Sequence, residues 1–282
     1  MASVGVAIIN WNRLEMLKRC IQSVLETSAG VVFDLFVWDV GSTDGSYEWL
    51  SREVSIFDPF DARCDQLCSP PRLSYAQTVN QAARYLFAKY PEMVYFYPLN
   101  NDNYVLPGWL SACAETFASD PKIGHVGSCV WYGPSFPQMS GKVQSAGAFF
   151  QHGMGGWTTR SAFVGQQTIS TVPCCYEVDY NGFGMYRRDL FEKFGGLCED
   201  YPPIYWDDPD WGFTLWSNGY RVVCDLRSMI VHDHTPNPYI EPERQHHFAA
   251  IGPNKEKFMA RWSHLLLPDG TRSPILPKVV GC

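Results

Sequence analysis

The sequence predicts an α/β domain built around a mostly parallel sheet, on three observations. Short, nearly continuous apolar runs at residues 3–9, 32–38 and 93–99 read as strands buried on both faces. Between them lie longer stretches with apolar residues at helical spacing, so strand and helix alternate three times in about a hundred residues. Each apolar run also stops at a cluster of small polar side chains, the place where open α/β sheets bind ligands.

Taken in order, the first strand ends in Asn10-Trp11-Asn12, and Leu14, Leu17, Ile21 and Val24 then mark one face of a helix. The second strand stops at Asp39, and residues 39–46, DVGSTDGS, carry two glycines for tight turns and Asp44 as a helix N-cap. Residues 75–90 read as a helix that leads into the third strand. Asn100, Asn101, Asp102 and Asn103 follow that strand, before Pro107 opens an apolar helical pattern. Asp39 and Asp102, both at strand ends, are expected to face one crevice. A carboxylate among amides can hold a hard divalent cation such as Mg²⁺ or Mn²⁺ through oxygen. The alternative for residues 100–103 is a polar turn that caps the next helix.

Composition bounds the rest. At 282 residues the chain can bury a substantial core in one catalytic domain. A formal charge of −7 argues against nucleic acid as a partner, and no apolar run approaches the roughly 20 residues of a membrane helix. The start MASVGVAIINW lacks a basic segment ahead of its apolar run. Ten cysteines without such a signal predict free thiols and a cytoplasmic location. Residues 55–73 and 132–165 read as long functional loops. Residues 253–264 read as a last amphipathic helix, and nothing in the sequence specifies an oligomeric state.

The ordered motifs resemble a family 2 glycosyltransferase, which implies the GT-A fold. IINWNRLEMLKRCIQSVL resembles the family's opening strand and helix, and DVGSTDGS its DNGSTDGS turn. SYAQTVNQA resembles a helix start that usually reads GYAxxxNxG, and LNND the DxD-type metal motif. In the second half, VDYNGFGMYRRDLFEKFGG resembles the acceptor-side segment, IYWDDPDWGFTLWSNG the catalytic helix, and MIVHDHT a strand end carrying a histidine. The WDD form is similar to that of galactofuranosyltransferases, and GKVQSAGAFF to a rhamnosyltransferase segment. FMARW resembles the family's tail helix, with Phe258 where processive members carry glutamine, which implies addition of a single sugar. The implied layout is a catalytic domain over 1–235, divided into a nucleotide half (1–102) and an acceptor half (103–235), with an extension over 236–282.

The resemblance implies roles for particular residues. The donor is a nucleotide-diphosphate sugar and the acceptor a hydroxyl of a glycan or glycoconjugate. Asp102 is expected to anchor Mn²⁺ or Mg²⁺, with His232 as second ligand and His234 as fallback. Asn100 and Asn101 stand where carboxylates are common, which weakens the site and suits a cation that arrives already bound to the nucleotide. Ile9, Asn10, Trp11 and Asp39 are expected to hold the base, and Ser74, with Arg72 beside it, replaces a base-contacting arginine. Asp208 is the expected general base, Asp207 the acceptor ligand, and Asp210 a residue that orients their helix. Two positions depart from the pattern: Val40 replaces an asparagine, and Thr214 an arginine. A nucleotidyltransferase of related fold and a catalytically inactive sugar-nucleotide-binding relative remain the alternatives. The former needs a basic, glycine-rich phosphate loop near the first strand, and NWNRLEML is not one.

Overall fold

The computed structural model describes residues 3–28, 30–53, 73–153, 156–171, 173–233 and 241–266, with backbone alone over 241–246. The chain runs β1 (Ser3–Asn10), α1 (Leu14–Thr27), β2 (Phe33–Asp39), α2 (Ser46–Glu53), α3 (Tyr75–Lys89), β3 (Met93–Asn100), β4 (Asn103–Val105) and α4 (Trp109–Ser119). Then follow β5 (Ile123–Tyr132), β6 (Val143–Ser145), β7 (Ala148–Gly153), β8 (Gly156–Ser161), β9 (Cys175–Val178) and β10 (Gly184–Arg187). The last elements are α5 (Arg188–Phe194), α6 (Asp207–Ser217), β11 (Arg221–His232) and α7 (Glu241–Trp262).

The central sheet has the order β2-β1-β3-β10-β5-β11-β4, with β6 and β9 paired to β5 and β11. β1 pairs in parallel with both β2 and β3, and β5 with β11. β10 enters antiparallel between β3 and β5, so the five principal strands still run one way. This is a mostly parallel sheet flanked by helices, as the sequence predicts.

Alternation within β1 explains its unbroken apolar reading. Val4, Val6 and Ile8 face one cluster with Leu17, Ile21 and Val24 of α1 and Trp109, Leu110 and Cys113 of α4. Ala7 faces the opposite cluster with Val79, Ala83 and Leu86 of α3, Phe191 of α5 and Trp211 of α6. Both faces are dry, so neither needs polar side chains. The entry to α3 is fixed by a capping box in which Ser74 Oγ accepts from the Gln77 amide while Gln77 Oε1 accepts from the Ser74 amide.

A third cluster joins α6 to α7. Phe258, fully buried, lies between Phe150 and Phe213, with ring centroids 5.2 and 5.1 Å away. The tail helix begins well before the expected residue 253, and Pro253 lies inside it. Packing, not propensity, holds this segment, because proline removes a helical hydrogen bond. Asn254 Nδ2 adds bonds to the Pro202 and Ile204 carbonyls at 3.2 and 3.1 Å.

Two other expectations are corrected. Residues 143–161 are not a loop: they contain β6 and the β7–β8 hairpin, whose register pairs Ala148 with Ser161 through Gly153 with Gly156. The expected cap at Asp44 holds, since its Oδ1 accepts from the Ser46 amide at the start of α2 at 3.0 Å. Its Oδ2 accepts from the Leu14 amide at 2.9 Å and so caps α1, where Arg13 has no capping side chain of its own. Free thiols hold for Cys20, Cys113, Cys129, Cys175, Cys198 and Cys224, but Cys174 is disulfide-bonded, contrary to the expectation that led to a cytoplasmic location. Among the described residues no helix is long and apolar enough to cross a membrane. Arg72, His234 and nearly all of the 55–73 segment lie outside the described residues.

Truncating Phe258→Ala should cost about 3–5 kcal/mol of unfolding free energy, the usual range for an emptied aromatic core site. Urea titration checks this, and a loss below about 1 kcal/mol would mean that α7 is not part of the cooperative core.

Candidate active site

The carboxyl ends of β1, β2 and β3 meet in register, Asn10 opposite Asp39 and Ile9 opposite Asn100. Asn10, completely buried, ties all three together. Its Nδ2 donates to Asp39 Oδ2 at 2.6 Å and to Ser42 Oγ at 3.1 Å, and its Oδ1 accepts from Asn101 Nδ2 at 2.6 Å. Asn101 Nδ2 also reaches the Asn12 carbonyl at 2.7 Å. Asp39 is equally buried and accepts from the Gly41 and Ser42 amides and the Ser42 hydroxyl at 3.1, 2.9 and 2.6 Å. Its carboxylate therefore shapes the 39–46 turn from beneath. Trp11 and Ile9 stay partly exposed at the rim, and Ser74 is buried under its own cap.

Asp102 sits one residue past this junction. Its Oδ2 receives Arg13 Nη1 at 2.6 Å and lies 3.5 Å from His232 Nε2. His232, at the end of β11, faces Gln144 Oε1 through Nδ1 at 2.9 Å. An Nδ1–H donated to Gln144 leaves the Nε2 lone pair turned toward the carboxylate, which is how an imidazole is held for a metal. Two ligands of one octahedral cation lie about 3 Å apart given bonds near 2.1 Å, so this pair fits a shared Mn²⁺ or Mg²⁺. Asn103, directly across the ladder from His232, is buried, and neither amide atom has a hydrogen-bond partner among the described residues. Among the described residues no three His, Cys, Asp or Glu side chains converge on a metal position. A cation at Asp102 and His232 would thus draw its other ligands from a bound anion or water.

The second group of acids begins α6. Asp207, Asp208 and Asp210 occupy its first turn, where the helix dipole favours negative charge. Tyr205 and Trp206, at φ 75° and 78°, turn the chain sharply into this helix, a conformation bulky side chains rarely adopt. Burial raises the Asp207 carboxyl to about 6, with Asp210 adding to the rise. Burial and then the neighbouring Asp207 hold Asp208 well above the usual carboxylate range. At both carboxyls burial is the larger cause, ahead of the neighbouring charge. Asp208 stays partly exposed, and a Cβ on Gly182 would come within 2.9 Å of its Oδ2, so the glycine keeps that oxygen open. Asp210 is committed to structure: its Oδ2 accepts from Tyr201 Oη at 2.8 Å and from Trp262 Nε1 at 2.6 Å.

Tyr75 connects the two groups. Its amide donates to the Pro203 carbonyl at 2.9 Å, just before the acidic turn. Burial, followed by the charges of Asp207, Asp208 and Asp102, pushes its phenol up, so it stays protonated. Sequence reasoning placed Ser74 in the site but missed Tyr75 beside it, and likewise Arg13, Gln144 and Trp262. Arg13 lies inside the NWNR stretch already singled out, and Gln144 inside GKVQSAGAFF. Their positions were legible, their partners were not.

The arrangement is that of a GT-A glycosyltransferase fold, with a nucleotide-type crevice over the strand ends and an acidic helix start across from it. The model for "Glycosyl transferase family 2" matches residues 5–195, and the chain belongs to that family. Among solved structures, GalNAc-T7 crystallised with UDP, GalNAc and Mn²⁺ is similar, with a TM-score of 0.65 at 13% identity. That match covers 92% of this chain and 50% of the other, so the chain spans half the length of that structure. Comparison with curated proteins returns no match.

Because Asn101 fills two acceptors inside the strand-end junction, Asn101→Ala should cost about 1–3 kcal/mol by leaving buried groups unsatisfied. Thermal and urea unfolding measure it. An unchanged stability would show that the junction reorganises freely.

Proposed function

We propose that the chain is an inverting, divalent-metal-dependent glycosyltransferase that moves one sugar from a nucleotide-diphosphate donor to a hydroxyl of a glycan or glycoconjugate. The observation that carries this reading is the Asp102–His232 pair, 3.5 Å apart at the strand ends, with the acids Asp207 and Asp208 at the start of α6. The base lies over the strand ends near Trp11 and Ile9, beside the turn that Asp39 and Asn10 shape. Asn100 and Asn101 line the approach to the diphosphate. When bound, Mn²⁺ or Mg²⁺ at Asp102 and His232 supplies positive charge where the departing diphosphate gathers negative charge.

Asp208 takes the proton of the acceptor hydroxyl as its oxygen forms the new bond to C1 and the bond from C1 to the diphosphate breaks. Asp207 holds the acceptor, and Asp210 fixes the helix that aims both. A one-step displacement attacks from the face opposite the leaving group, so the product anomer is inverted. A transfer assay with UDP-, GDP- and dTDP-sugars, with and without Mn²⁺, tests the activity, and NMR of the product's anomeric proton tests the stereochemistry. Retention of configuration would remove Asp208 from the role of base.

Asp208→Asn should lower kcat by about 10²–10⁴ with little change in donor affinity, since an amide cannot take the proton. In the parent enzyme, activity should rise with pH along an acid limb well above the ordinary carboxylate range, as Asp208 ionises. Asp207→Asn should shift that limb to lower pH, because it removes the neighbouring charge that raises Asp208. Stability runs the other way. The folded Asp207–Asp208 pair binds protons that the unfolded chain has released, so its contribution to stability is present at low pH and lost as pH rises, through about 6 for Asp207. An acid limb that Asp208→Asn leaves in place would sink the assignment.

A further inference from the structure

We infer that Arg13 is a built-in counter-ion for Asp102, one that a metal–nucleotide must displace and that then clamps the diphosphate. The inference rests on the proposed metal and donor reading of this crevice and adds a residue and an order of events to it. Arg13 Nη1 lies 2.6 Å from Asp102 Oδ2, and each side chain is only 11% exposed. The placement is built from several sides. Arg13 and the preceding Asn12 both adopt left-handed conformations, at φ 66° and 55°. Asn12 is anchored by its amide to Ser42 Oγ and by its Oδ1 to the Thr43 amide, both at 2.7 Å. The amide after Arg13 is held by Asp44. A left-handed pair of non-glycine residues is costly and persists only when its surroundings over-determine it.

Two consequences follow from charge. A divalent cation on Asp102 Oδ2 would take the lone pair that the guanidinium now uses, and it would sit beside a fixed positive charge. Metal alone should therefore bind poorly, and metal carried by an anion should bind well, because the anion answers both cations. Arg13 is also prepared for that anion: its Nε is buried with no hydrogen-bond partner among the described residues. Once Nη1 leaves Asp102, Nε and the terminal nitrogens offer a planar fork that matches two oxygens of a phosphate. An orphaned buried donor is costly, and a diphosphate oxygen would satisfy it.

The test measures binding, without turnover. Mn²⁺ affinity of the nucleotide-free protein is read by electron paramagnetic resonance, and affinity for inorganic pyrophosphate in chelator by calorimetry, on the parent, Arg13→Gln and Asp102→Asn. Arg13→Gln should bind Mn²⁺ alone at least about tenfold more tightly and metal-free pyrophosphate at least about tenfold more weakly. Asp102→Asn should bind metal-free pyrophosphate as well as the parent or better, because Arg13 is released, and should lose Mn²⁺. Arg13→Lys keeps the charge without the fork, so it should hold Mn²⁺ affinity low while weakening pyrophosphate, and it serves if Arg13→Gln does not fold. Equal Mn²⁺ affinity in the parent and the Arg13 variants would overturn the counter-ion while leaving the metal reading intact. Weaker metal-free pyrophosphate binding by Asp102→Asn would overturn the clamp. No Mn²⁺ binding by any form, even with UDP, GDP or dTDP present, would overturn both the inference and the metal reading.

Discussion

The buried amide of Asn10 is the constraint on which the crevice depends. Strand ends are where backbone ladders run out, and three parallel strands finishing together leave amides and carbonyls with no sheet partner. Asn10 has donors and an acceptor on one short side chain, so it can bind Asp39 and Asn101 at once. Asp39 then gathers the amides of its own turn, and Asn101 reaches back to the Asn12 carbonyl. Each bond is modest, roughly 1 kcal/mol net in ordinary cases. The geometric effect is larger than the energetic one, because the loop carrying Trp11, Asn12 and Arg13 is aimed by side chains from the two neighbouring strands.

A second constraint works from the opposite side. The acids of α6 are drawn into a buried position by packing, and Gly212 lets the helix approach the Asp179 carbonyl closely. α7 secures that position: Trp262 and Tyr201 both donate to Asp210, and Phe258 fills the space beneath. Burial raises the proton affinity of all three carboxyls, and at Asp210 the bonds from Trp262 and Tyr201 work against that rise. Hydrogen-bond partners thus distinguish chemically identical residues, with Asp210 tied to Tyr201 and Trp262. The extension at the end of the chain takes part in the site without touching its centre.

The positive charges near these acids are few and placed individually. Arg13 meets Asp102, and Arg19 meets Asp233 at 2.7 Å while lying over Tyr104. Asp233 in turn accepts from the Ser135 amide and hydroxyl at 2.8 and 2.7 Å, and its own amide donates to the Asp102 carbonyl at 2.9 Å. The Asp102 corner is thereby stitched to β4, β5 and β11 together, which explains how Asp102 on a turn and His232 on a distant strand keep a fixed separation.

Much of this was legible in the chain itself. Apolar runs that stop at Asn10, Asp39 and Asn100 mark buried strands, because a strand covered on both faces has no polar alternation, and the crevice lies where each run ends. Asp102, Asp207, Asp208 and His232 were also visible as candidates, since acids and imidazoles at strand and helix ends are placed by local pattern. Only the tertiary structure decided their partners. Nothing near Arg13 in sequence indicates Asp102, and nothing near Asp210 indicates Trp262. The insertion of β10 between β3 and β5, the β7–β8 hairpin and the length of α7 were equally hidden, because each is held by contacts with segments far along the chain. Periodicity reports which face of an element is dry. Which buried charge meets which partner depends on long-range approach, and a single sequence does not encode that in any local pattern.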